Sequence, residues 1–195
     1  TKKYRHLNSV NDPTSPIPMF NTGRADDILA LRAKRLYEST HYKEALEICE
    51  KINSHPVSQF LIGHSYFCGH INPKSESTAA EWFQRAARQN YSAAKHYLGR
   101  VMVNGTDDTV KNREEGLELL KQAAKQGYEP SLHTLASHYE FSRDESEYNL
   151  IIPFYLSSAK AKVYDSEFAL GRCYELGLGG AEVDLQKALD WYMIA

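Results

Sequence analysis

Ile62-Gly63-His64-Ser65-Tyr66, Leu98-Gly99-Arg100-Val101-Met102, Leu135-Ala136-Ser137-His138-Tyr139 and Leu170-Gly171-Arg172-Cys173-Tyr174 share one pattern. An aliphatic residue is followed by Gly or Ala, and a large residue stands three places after the small one. The small residues, at 63, 99, 136 and 171, are 36, 37 and 35 positions apart. A second ladder keeps the same period. Trp82, Leu119, Phe154 and Trp191 each begin a bulky pair, and four residues later come Ala86-Ala87, Ala123-Ala124, Ser158-Ala159 and Ala195. Six residues after three of the small positions stands Gly69, Gly105 or Gly177, with Ser142 as the exception. Two ladders in fixed phase at one spacing indicate an internal repeat, and the repeat governs the fold.

Each unit divides into two helices, because apolar residues recur at spacings of three and four. First helices are expected at 56–68, 92–104, 130–142 and 165–177, and second helices at 76–89, 112–126, 148–162 and 184–195. The glycine after the first helix suits a left-handed C-terminal cap, and Gly127 suits the same role after a second helix. The small residue lets neighbouring helices approach closely, where a full side chain would overpack the crossing by ~1–3 kcal/mol. Pro153 is expected near the first turn of its helix, so that helix starts later than its periodicity suggests. Upstream, residues 25–39 and 42–52 form another helix pair with a tight turn at Thr40-His41. Residues 1–22, with Pro13, Pro16 and Pro18, cannot support a helix and are expected to form an extended arm, with Ile17, Met19 and Phe20 packed on the first helix. The domain plan is therefore an arm over 1–22 and a helical repeat array over 23–195.

Composition narrows the function. In 195 residues, 23 basic and 25 acidic side chains give a net charge of −2, and hydrophobic residues make up 42%. That is the balance of a globular chain able to bury a large core. It argues against nucleic acid as a partner, since phosphate binding needs a basic excess. No apolar run approaches a membrane span, and no secretory leader is visible after Thr1. Cys49, Cys68 and Cys173 are odd in number and unevenly spaced, which fits a reducing compartment and buried thiols.

The Leu-Gly-x-x-Tyr ladder, the following glycine and the bulky-pair-x-x-Ala-Ala ladder resemble the Sel-one-like repeat, a helix-hairpin relative of the tetratricopeptide repeat. The resemblance covers four units from 56 to 195, the last truncated, while the 25–52 pair looks more like a tetratricopeptide hairpin. Departures are Ala136 and Ser142 in the third unit, and Gly116 and Ile151 where the family usually has alanine, as at Ala79 and Ala188. The resemblance implies an all-α, right-handed superhelical solenoid of stacked hairpins that binds proteins. Family members include adaptors of endoplasmic-reticulum degradation complexes, fungal activators of chitin synthase, and bacterial virulence and assembly proteins. Because the chain stops within a second helix, its last unit is expected to expose an apolar face, as part of a longer protein or covered by a partner.

In such stacks the first helices line the concave face. The residues after the small position are then His64, Arg100, Ser137 and Arg172, with Lys34 from the upstream pair. Three places before it come Phe60, His96, His133 and Phe168, and four places after it Phe67, Val103, Glu140 and Glu175. Arginine forks suit carboxylates, and aromatic rings supply apolar anchors. The expected ligand is an extended protein segment, partly acidic and partly apolar, held by Lys34, Phe60, His64, His96, Arg100, His133, Phe168 and Arg172. The charged outer face of the second helices, with Glu118 and Lys121 among others, supports the helices themselves.

Catalytic and metal signatures are missing. There is no His-Glu-x-x-His, Gly-x-Ser-x-Gly or phosphate-cradling loop, and His133 and His138 are five apart, off a shared helix face. Gly177-Leu178-Gly179-Gly180 and the acidic run Asp144–Glu147 fall at turns between helices. No cofactor or metal is expected, and no enzyme. The expected role is a cytoplasmic adaptor, scaffold or regulatory subunit like the chitin synthase activators. The alternative is a luminal adaptor of an endoplasmic-reticulum quality-control complex, kept open by Asn90-Tyr91-Ser92 and Asn104-Gly105-Thr106 as glycosylation strings. A hydrolase carried on a repeat scaffold is the remote alternative.

Overall fold

The computed structural model describes residues 24–104, 112–142, 147–162 and 165–195. The N-terminal arm, Gly105 and most of the acidic run at 144–147 lie outside the described residues. The described residues form ten α-helices and no strand: α1 Arg24–Glu38, α2 Tyr42–Lys51, α3 Pro56–Cys68, α4 Glu76–Arg88, α5 Ser92–Asn104, α6 Arg113–Lys125, α7 Pro130–Ser142, α8 Ile151–Lys160, α9 Asp165–Leu176 and α10 Leu185–Ile194. The array divides into two compact units within α6, between Leu119 and Leu120.

Local chemistry sets the ends. α3 begins with His55 as its cap and Pro56 in the first turn. His55 Nδ1 accepts the Val57 N–H at 3.2 Å, so its proton sits on Nε2, 3.1 Å from Asp27 Oδ1. Gly69 closes the same helix at φ 71°, its N–H bonded to the Ser65 carbonyl. Ser75 and Asp184 cap α4 and α10 through the N–H groups of Thr78 and Lys187. Pro153 is the third residue of α8, which starts at Ile151 after a short 3-10 turn over Tyr148–Leu150. The glycine-rich run is a turn: α9 ends at Leu176, Gly177 takes φ 69°, and Gly179 folds against Ile151.

In the N-terminal unit, α1, α2 and α3 pack on one another, then α3 on α4 and α4 on α5. α3 is enclosed on almost every side, from Pro56 through Leu61 and again from Gly63 through Ser65. A Cβ on Gly63 would lie 2.9 Å from the buried Phe83 ring, so the bare backbone is what lets α4 seat there. In the C-terminal unit, α7 packs on α8, α8 on α9 and α9 on α10. Gly171 plays the Gly63 role, since a Cβ there would collide with the Tyr192 ring. Along α10, Leu185, Leu189 and Met193 are 67%, 51% and 77% exposed and form a stripe four residues apart.

Gly116 shows how locally the repeat is tuned. A Cβ there would sit 2.9 Å from the Gly99 carbonyl oxygen, 2.9 Å from Val103 Cγ2 and 3.0 Å from Met102 Cβ. Glycine to alanine inside a helix ordinarily gains up to ~1 kcal/mol. Gly116→Ala is instead expected to lose ~1–3 kcal/mol, because the obstacle is backbone and cannot swing away. Urea unfolding of the two proteins checks this; an unchanged or higher midpoint for the variant means α5 and α6 can separate freely.

Candidate protein-binding face

The side chains assigned to the inner face divide by burial. In the N-terminal unit, Phe60, His64 and His96 are 4%, 3% and 3% exposed, and their rings are engaged. Phe60 packs against Phe83, Tyr91 and Tyr97 at centroid distances of 5.4–5.8 Å. His96 lies edge-on to Tyr97 at 5.1 Å. His64 Nδ1 is 3.0 Å from the Tyr37 hydroxyl, and Tyr37 is also 3.3 Å from His70 Nδ1. Burial drives the His64 imidazole down to about 4, helped by His70 and the Arg100 charge, so it is neutral at physiological pH. Burial also raises the Tyr37 hydroxyl far above the usual tyrosine range. Tyr37, Tyr42, His64 and His70 thus form a neutral polar-aromatic knot joining α1, α2 and α3. Lys34 is half-exposed and stands 3.9 Å from Glu38, one turn along α1.

Arg100 differs. It is half-buried, with its guanidinium 5.8 Å from the Phe67 ring centroid and 5.6 Å from that of Tyr97. Lys74 Nζ lies 6.0 Å from the same Phe67 ring. This corner combines a partly open ring with two cations.

In the C-terminal unit, Arg172 Nη2 is 2.8 Å from Glu140 Oε1, whose side chain is only 5% exposed. The Tyr155 hydroxyl donates to the other Glu140 oxygen at 3.0 Å. The fork expected to receive a foreign carboxylate therefore already holds one from α7. His133 Nδ1 is 2.8 Å from Ser166 Oγ, which ties α7 to α9. Phe168 is open, 55% exposed, with its ring 5.2 Å from Tyr192. Tyr37, Tyr97 and Lys74 stand outside the repeat positions assigned to the inner face. Glu140 and Arg172 stand in two rows of that face, and the diagonal step from the fourth residue after one small position to the first after the next is the signal that pairs them.

All three cysteines are unpaired: Cys49 and Cys173 buried, Cys68 exposed. Burial raises the Cys49 thiol to about 11 and the Cys173 thiol to about 12, so neither serves as a nucleophile. Asn90 sits in an exposed turn at φ 64°, where its side-chain oxygen accepts from Lys95 Nζ at 2.6 Å. Among the described residues, no cluster of three or more His, Cys, Asp or Glu is arranged to hold a metal ion, and no helix is long and apolar enough to cross a membrane.

Capped hairpins at a period of 35 to 37 residues, with glycine at the crossings, define a helical-repeat protein of the solenoid class. The Sel1 repeat pattern matches residues 56–91, 92–128 and 165–195, more than half of the chain, and the chain belongs to the Sel1 repeat family. The unmatched stretch between them is the third unit, where Ala136 and Ser142 replace the two glycines. Solved structures agree on the fold. A Sel1 repeat protein from Oxalobacter formigenes aligns over 85% of this chain and 80% of its own, with TM-score 0.66 and 22% identity. The protective antigen c5321 of uropathogenic Escherichia coli aligns over 84% of this chain and 37% of its own, with TM-score 0.70 and 22% identity. Among curated proteins, the chitin synthase regulator SKT5 of Saccharomyces cerevisiae is 30% identical over 153 residues, 73% of this chain and 22% of that protein. The alginate biosynthesis protein AlgK of Pseudomonas putida is 45% identical over 65 residues, 33% of this chain and 13% of that protein. The chain thus spans under a quarter of the length of either curated relative. The family's repeats typically mediate protein–protein interaction.

Proposed function

We propose that this chain is a non-catalytic adaptor or regulatory subunit, acting in the cytoplasm, that binds an acidic and apolar segment of a protein partner through its first helices. The observation that carries the reading is Arg100, whose guanidinium rests on the Phe67 and Tyr97 rings with no carboxylate paired to it among the described residues. In the C-terminal unit Phe168, more than half exposed, offers an apolar anchor of its own. Exposed aromatics and arginines are the side chains that dominate binding energy at protein interfaces. The similarity to a chitin synthase regulator supports a regulatory role on a synthase of that kind. Three unpaired cysteines support a reducing compartment. Phe60, His64 and His96 in the N-terminal unit and His133 in the C-terminal unit serve from beneath, through the ring contacts and hydrogen bonds of their own unit, while Lys34 pairs with Glu38 on its own helix.

Affinity capture tests this, comparing wild type with Arg100→Glu/Phe168→Ser and identifying retained proteins by mass spectrometry. The expected result is a partner held by wild type and lost from the variant, with helical circular dichroism unchanged. Retention of the same partners by both proteins moves binding off the first-helix face. A glycosidase-sensitive mass at Asn90 would replace the cytoplasm with the secretory lumen.

A further inference from the structure

Arg100 and Arg172 occupy the same repeat position, one residue after the small residue of α5 and α9. Each reaches back to the same position of the preceding first helix, four residues after its small residue. In the C-terminal unit that residue is Glu140, and the ion pair closes at 2.8 Å. In the N-terminal unit it is Phe67, and the guanidinium meets a ring at 5.8 Å. The repeat thus supplies its own comparison: one geometry, with the anion present in one copy and replaced by an aromatic face in the other. A ring face attracts a cation but brings no compensating charge. Among the described residues no carboxylate pairs with Arg100. Lys74 adds a second cation beside the ring, with its own partner Glu76 3.6 Å away and its side chain 62% exposed.

We infer that the corner formed by Phe67, Tyr97, Arg100 and Lys74 receives a carboxylate from an acidic segment of a protein partner, the anion that Glu140 supplies internally in the other unit. The inference rests on the adaptor reading and names the partner's chemistry. The partner's carboxylate forms charge-assisted hydrogen bonds to Arg100, and an adjoining apolar side chain covers the open part of Phe67. An acidic residue next to a large apolar one matches the corner better than an acidic run alone.

Cys68 provides a reporter, because it is exposed and feels the Arg100 and Lys74 charges, while Cys49 and Cys173 are fully buried. Its reaction rate is measured with anionic sulfonatoethyl and cationic trimethylammonioethyl methanethiosulfonate at low salt, with Cys68→Ser as the blank. Uncompensated charge favours the anionic reagent, and Arg100→Gln is expected to lower the anionic-to-cationic rate ratio about tenfold, less in high salt. An acetylated peptide of alternating Glu and Phe, separated by glycines, is expected to slow labelling of wild type but not of Arg100→Gln. Its Gln-for-Glu counterpart slows neither. A ratio unmoved by Arg100→Gln overturns the inference, because the charge is then neutralised within the chain. Equal effects of the Glu and Gln peptides, or no effect of either, overturn the assignment of a carboxylate ligand. The rate ratio needs no partner, so its failure is separate from failure of the adaptor reading, which the capture experiment reports.

Discussion

Phe83→Ala is expected to lower stability by ~3–5 kcal/mol, the range for removing a fully buried aromatic ring. Phe83 has no exposed surface, and its ring centroid lies 5.8 Å from that of Phe60, 6.2 Å from Phe67 and 5.5 Å from Tyr97. On its remaining side is Gly63, which has no side chain to fill the space left behind. The same closeness predicts a coupled rescue. Gly63→Ala alone drives a methyl to 2.9 Å from the Phe83 ring and destabilises the protein, but in the Phe83→Ala background that methyl enters the cavity. A double-mutant cycle read by urea unfolding should therefore give a coupling of ~1 kcal/mol or more. Strict additivity would mean the ring and the glycine are not packed against each other.

Acidification should remove stability through His64. Its imidazole is held at about 4 in the folded chain, against ~6.5 when unfolded. Between those values the unfolded state binds more protons, so stability is complete above the unfolded value and falls as pH drops toward 4. The full loss is roughly 3 kcal/mol, with most of it reached by pH 4.5. His70, lowered by burial beside it, acts in the same direction. Urea midpoints at pH 7.5 and 4.5 for wild type and His64→Gln isolate the effect, because glutamine can keep a hydrogen bond to Tyr37 without titrating. The variant should lose ~2–3 kcal/mol less on acidification. An equal loss in both proteins would show that His64 is protonated without opening the fold.

The helices were legible in the sequence because two independent ladders kept phase. The spans expected at 56–68, 92–104 and 130–142 coincide with α3, α5 and α7, and the helix expected at 148–162 is shortened by the Pro153 effect. The site was legible by position but not by burial. α3 carries apolar or small residues on nearly every side, so its periodicity does not say which side faces water. The repeat offset placed Phe60 and His64 on the inner face, while Tyr37 from α1 and Tyr97 from α5 reach over those same side chains. Charge pairing was hidden for a related reason. Glu140 and Arg172 belong to different helices, and only the crossing geometry brings them to 2.8 Å.

The packing order within each unit bears on how the chain acquires its structure. The helices in closest contact are next to each other in sequence or one helix removed, and the α1–α2 connection is only Ser39–His41. Closing such short loops sacrifices little chain entropy, so a hairpin can form before its successors exist. Topologies dominated by neighbouring contacts fold in roughly microseconds to milliseconds, far faster than residues are added during synthesis. Within each unit a growing chain can therefore set each hairpin on the one before it as translation proceeds, and the hairpins of the N-terminal unit need not wait for α10.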